Sequence, residues 1–128
     1  MSDTAANNAA SCPLELAIQT IGGRWKLHIL RDLVLTGPQR YNSLLGNISA
    51  ISPKELTRNL RELETAGLLE QVEQDDGKVY ALTTLGRGIE EPFRALGIFG
   101  EALADARDER SRTGNPRTFN ATKISSVR

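Results

Sequence analysis

The spacing of apolar positions changes period along the chain, and each change marks an element. Pro13 followed by Leu14, Leu16, Ala17, Ile18 and Ile21 predicts a helix with the proline in its first turn, Cys12 at its N-cap and Gly22-Gly23 at its end. A second helix over about residues 24–35 sets Trp25, Ile29, Leu30, Leu33 and Val34 on one broad face and stops at Gly37-Pro38. A short third helix starts near Tyr41, with Leu44, Leu45 and Ile48 apolar. Ser52-Pro53-Lys54-Glu55 then carries a capping box with proline at the first helical position, which predicts a fourth helix over about 53–66, ended by Gly67. Two strand-like runs, 68–74 and 79–83, flank Asp75-Asp76-Gly77-Lys78, a hairpin signal. Thr83 or Thr84 caps a last helical region to about residue 107. There Ile89, Phe93, Leu96, Gly100 and Leu103 step by four and three, the spacing of an interhelical seam. Pro92 is expected to kink or split that region after about Glu91.

The order helix, helix, helix, turn, helix, hairpin, helix is that of a winged helix-turn-helix: mainly α, with a small β-hairpin wing. The fourth helix carries the most chemistry. At about 100° per residue, Lys54, Arg58 and Arg61 fall within about 60° of one another, with Thr57 and Thr65 beside them. Leu56, Leu60 and Leu63 form the opposite stripe. Such a helix has an apolar back to hold it in place and a front of long cations and hydroxyls. Arginine binds phosphate or reads a guanine edge bidentately, and the helix N-terminus adds donors toward a phosphate.

Composition bears on this picture in four ways. At 128 residues and 14.0 kDa the chain fits one domain, expected over 12–108, with polar, disordered segments at 1–11 and 109–128. No apolar run approaches the ~20 residues that span a bilayer, and the first residues lack a basic-then-apolar leader, so a cytoplasmic protein without a membrane segment is expected. The single cysteine excludes an intrachain disulfide and a cysteine-based zinc site within one chain. The formal net charge is zero, yet the charge is segregated. Residues 22–61 hold seven basic and two acidic side chains; residues 62–109 hold four basic and twelve acidic ones; residues 110–128 hold five basic and none acidic. Local potential rather than net charge attracts a polyanion, so the basic block that includes the fourth helix directs attention to nucleic acid.

Other classes fare worse. The chain has no Ser-His-Asp set and no phosphate-cradling glycine loop, so neither an enzyme nor a cofactor is expected, and no catalytic residue is assigned. The only histidine, His28, cannot build a metal site by itself, and no metal is expected. Trp25 reads as core; Phe93 and Phe99 read as core or seam. A winged-helix protein-interaction module without DNA binding is the alternative, and the acidic hairpin (Glu70, Glu73, Asp75, Asp76) is the feature that favours it.

Several motifs together resemble the HxlR-type winged helix-turn-helix regulators of bacteria and archaea, within the MarR-like superfamily. They are Cys12-Pro13, Ile21-Gly22-Gly23-Arg24-Trp25, Ile51-Ser52-Pro53-Lys54, Leu60-Arg61-Glu62-Leu63 and Leu82-Thr83 to Gly86. The resemblance covers about residues 12–103. It implies a homodimeric transcription regulator on double-stranded, (pseudo)palindromic operator DNA, with Ser52, Lys54, Thr57, Arg58 and Arg61 on the recognition helix. It places Arg40 and Tyr41 near phosphates at the start of the first helix of the helix-turn-helix. It also implies a dimer built by the terminal helices, through Leu14, Ile18, Ile89, Phe93, Leu96, Phe99 and Leu103. Wings of this kind often carry basic tips; here only Lys78 is basic, so wing contact is expected through Lys78 alone. Some members of the family sense oxidants or electrophiles through a cysteine at the position of Cys12. A helix N-terminus favours the thiolate, which makes Cys12 a candidate redox sensor and an oxidant or small molecule a candidate signal.

Overall fold

The computed structural model describes residues 12–113, in two compact units joined near residue 87. The first unit contains α1 (Pro13–Ile21), α2 (Lys26–Thr36), α3 (Tyr41–Asn47), α4 (Pro53–Thr65), the strands β1 (Leu69–Gln74) and β2 (Gly77–Leu82), and the single turn α5 (Thr84–Arg87). The second contains one long helix, α6 (Glu90–Thr113). The protein is a winged helix-turn-helix: helices around a small core, with a two-stranded antiparallel hairpin after α4.

The core of the first unit forms where the apolar stripes of α2, α3 and α4 converge. Ile29, Leu30, Leu33, Leu44, Leu56, Leu60 and Leu63 are buried, with Trp25, Ile48 and Ile51 at the edges and Leu69 and Val79 closing it from the hairpin. Each large aliphatic removed from water contributes about 1.5–3 kcal/mol. The turn between α3 and α4 passes through Ala50 at φ 72°, in the left-handed region. The hairpin pairs Leu69 with Leu82 through Gln74 with Gly77, so Asp75-Asp76 is its two-residue turn and Asp75 takes the positive φ of 54°. Gly86 must lack a side chain, because a Cβ there would overlap the Leu68 carbonyl oxygen at the start of β1.

One element has no sequence signature. Gln39 pairs with Tyr80 as an isolated antiparallel bridge, N–H to O at 3.0 Å and 2.7 Å, adding a third partner beside the wing. Its buried side chain donates from Nε2 to Asp32 Oδ2 (2.8 Å) and accepts at Oε1 from Asn47 Nδ2 (2.8 Å). This network ties α2, α3 and the wing with every buried side-chain polar atom satisfied among the described residues.

Two expectations need correction. The break in the last helical region falls at Gly88-Ile89, between α5 and α6, and not after Glu91. Pro92 then sits in the first turn of α6, where its missing N–H leaves no bond unmade. The helix also continues to Thr113, so residues 109–113 are helical and not part of a disordered tail. The expected disordered lead, 1–11, and the rest of the expected tail, 114–128, lie outside the described residues.

Candidate nucleic-acid interface

The two faces of α4 separate cleanly. Leu56, Asn59, Leu60 and Leu63 are buried, whereas Lys54, Thr57, Arg58 and Arg61 are exposed. These four, with Ser52, Pro53 and Glu55, line one open surface concavity. The capping box anchors its upper end. Ser52 Oγ accepts from the Glu55 N–H and Glu55 Oε1 accepts from the Ser52 N–H, both at 3.1 Å. The Ser52 backbone donor and then the Trp25 side chain hold the Glu55 carboxyl below its ordinary range. A depressed carboxylate stabilises the fold above its unfolded pKa, and the contribution is lost as pH falls through the lower folded value. In thermal melts Ser52→Ala is therefore expected to cost about 1 kcal/mol at neutral pH. Glu55→Gln is expected to lose less stability than wild type on acidification through the carboxylate range, and an unchanged acid limb would contradict this.

Neighbouring elements steady the same face. Lys26 pairs with Glu62 on the flank of α4 and is largely covered. That pairing is the main reason the Glu62 carboxyl lies below its ordinary range. Tyr41, at the first position of α3, reaches α4: its hydroxyl lies 3.0 Å from the Pro53 carbonyl oxygen and 3.0 Å from Thr57 Oγ1. Arg40 remains exposed but is tied to the wing, its Nη2 donating to the Gln74 carbonyl (3.1 Å), and its guanidinium passes over Gly77 where a Cβ would stand. Lys78 stands opposite Glu73 in the hairpin register. The only wing cation thus faces a carboxylate, which lowers its pull on a phosphate. Tyr80 packs between wing and helices; burial first, then the nearby Glu64 and Tyr41, push its phenol up, so it stays neutral at physiological pH.

Other candidates fall elsewhere in the fold. Cys12 is exposed and caps α1 through its backbone, with the Leu16 N–H donating to its carbonyl at 3.0 Å, and its side chain makes no cap hydrogen bond. In the first unit, α1 buries none of its residues, and Leu14 and Ile18 are exposed. In the second unit, Leu96, Phe99 and Leu103 are exposed on α6, and Ile89 and Phe93 are partly exposed. Trp25 is core, as expected, with the Arg24 guanidinium 4.4 Å from its ring centroid and the His28 ring 5.8 Å away. Among the described residues no group of three or more His, Cys, Asp or Glu side chains could hold a metal ion, and no helix is long and apolar enough to cross a membrane.

A buried-backed, basic-fronted helix after a helical turn, followed by a hairpin, defines the class of winged-helix DNA-binding proteins. The family model described as HxlR-like helix-turn-helix matches residues 20–108. The chain belongs to this family of transcriptional regulators. It is 34% identical over 110 residues to the helix-turn-helix-type transcriptional regulator YdeP of Bacillus subtilis, covering 84% of this chain and 85% of that one. Among solved structures it is similar to the redox regulator HypR in its reduced form (TM-score 0.65, 32% identity, 76% of this chain and 98% of that one). It is also similar to quinone-bound YodB of B. subtilis (TM-score 0.63, 30% identity, 70% and 98%).

Proposed function

We propose that the protein is a homodimeric, sequence-specific regulator that places α4 of each protomer in the major groove of a (pseudo)palindromic operator. The observation that carries this reading is the exposed front of α4, where Lys54, Arg58 and Arg61 project together from a helix whose back is locked into the core. The exposed apolar faces of α1 and α6 support a second copy as their cover. A dyad then sets two recognition helices roughly 34 Å apart, one turn of DNA. The acidic hairpin leaves a docking module without DNA binding as the competing reading. Binding of the reduced protein to the duplex upstream of its own coding sequence, against a shuffled duplex, separates the two. Preference for the native duplex that survives physiological salt is expected, and absence of binding even at low salt would favour the docking module.

Cys12 supplies the signal in this reading. It is exposed at a helix N-terminus, and of the similar proteins HypR is a redox regulator and YodB binds a quinone. With peroxide, the thiolate sulfur attacks one oxygen and the O–O bond breaks; sulfenic acid forms and the second oxygen leaves as water. A second protomer's Cys12 thiol can then condense with it, releasing water and leaving an intersubunit disulfide. With a quinone, the sulfur adds to a ring carbon and the ring becomes a hydroquinone thioether, with no further oxidant needed. Cys12→Ser is expected to bind DNA as the reduced wild type does, but to stay unchanged when peroxide or quinone is titrated in. An equal response of both proteins would remove Cys12 from the mechanism.

A further inference from the structure

Tyr41 and Thr57 define a hydrogen-bond polarity at the centre of the α4 surface. The Tyr41 hydroxyl has one proton and touches two oxygens, the Pro53 carbonyl at 3.0 Å and Thr57 Oγ1 at 3.0 Å. A carbonyl only accepts, so the Tyr41 proton goes to Pro53 and Thr57 must direct its own proton to the Tyr41 oxygen. A helical threonine otherwise turns its hydroxyl to the carbonyl four residues back, which here is Pro53 and is engaged by Tyr41. Thr57 is exposed, and its oxygen is left with lone pairs alone to present outward.

We propose that Tyr41 fixes Thr57 as an acceptor-only reader, making Thr57 a specificity-determining residue for an amino-bearing base and Tyr41 its positioning residue. The proposal rests on α4 lying in the major groove. Lys54, Arg58 and Arg61 are donors only, so they suit phosphate oxygens and the acceptor edges of guanine and thymine. Thr57 is the exposed acceptor among them, since the Ser52 hydroxyl and the Glu55 carboxylate that also line this surface are engaged in the capping box. Lone pairs repel phosphate and the keto oxygens, and they match N6 of adenine or N4 of cytosine. The recognition face therefore discriminates an amino base from a keto base at the position opposite Thr57, and a phosphate contact by Thr57 is ruled out by the same polarity.

Selection of bound sequences from a randomised duplex pool tests this with wild type, Thr57→Val and Tyr41→Phe, each first checked for an unchanged thermal melt. Wild type is expected to enrich a motif with one position per half-site restricted to adenine or cytosine, by about tenfold over guanine or thymine. Thr57→Val removes that restriction. In Tyr41→Phe the Thr57 proton is free to turn either back to the Pro53 carbonyl or outward to a keto oxygen, so the same position also admits guanine and thymine while the rest of the motif persists. A motif identical in all three proteins would overturn the proposal, as would a Tyr41→Phe variant that binds every sequence uniformly more weakly with its preferences intact. A wild-type pool with no enriched motif would instead overturn the major-groove reading, and this proposal with it.

Discussion

Replacing Arg58 and Arg61 together with alanine is expected to abolish preference for the operator while leaving the melting temperature unchanged. Both side chains are exposed on the front of α4, and neither takes part in the core. An arginine that contacts a base edge contributes about 1–3 kcal/mol, so the pair contributes about 2–6 kcal/mol if the effects add. That corresponds to a loss of roughly 30-fold to more than 10⁴-fold in affinity. Each lost phosphate contact would also flatten the salt dependence. Titration of the upstream duplex with wild type and double variant reads this directly, and equal affinities would mean that α4 does not face the DNA.

The opposite face of the same helix carries the opposite expectation. Leu56 is fully buried between α4 and the rest of the core. Leu56→Ala removes apolar area and leaves a cavity, a loss of about 2–5 kcal/mol. For a domain of this size that lowers the melting temperature by roughly 10 °C or more. Below the melting transition, the folded fraction should keep its operator preference, because the cations on the front are untouched. A shift of only about 1–2 °C would show that α4 is not held by its leucine back. The two variants together separate what positions the helix from what the helix reads.

Much of this arrangement is legible in the chain because it is local. The capping box at Ser52 and Glu55, the leucine and basic stripes of α4, and the Asp-Gly hairpin signal each depend on spacings of a few residues, and each appears where the periodicity places it. The turn is tighter than the spacing suggests, since Asp75 takes the left-handed turn position and β2 begins at Gly77, two residues before the expected run at 79–83. What the sequence does not disclose are contacts between distant segments. The Gln39–Tyr80 bridge, the Arg40–Gln74 bond, the Lys26–Glu62 pair and the Tyr41–Thr57 bond join residues that only the packed core brings together. The resemblance alone sets Tyr41 near phosphates; its place against Pro53 and Thr57 requires α3 set against α4. Pro92 shows a different limit. Proline marks a break, but whether it ends one helix or begins the next depends on where the preceding chain turns, here at Gly88-Ile89. The last two turns of α6, residues 107–113, hold three arginines, Asp108 and Glu109 and no apolar residue, so the helix continues there without a periodic signal.

In the proposed complex two copies of α4 lie in successive major grooves. Chemical footprinting of the reduced protein on its bound duplex, with guanine methylation in the major groove as the probe, tests it most directly. Two protected segments about one helical turn apart, related by a dyad, are expected, and both should be lost in the Arg58→Ala, Arg61→Ala variant. Protection confined to the minor groove, or unaltered in that variant, would contradict it.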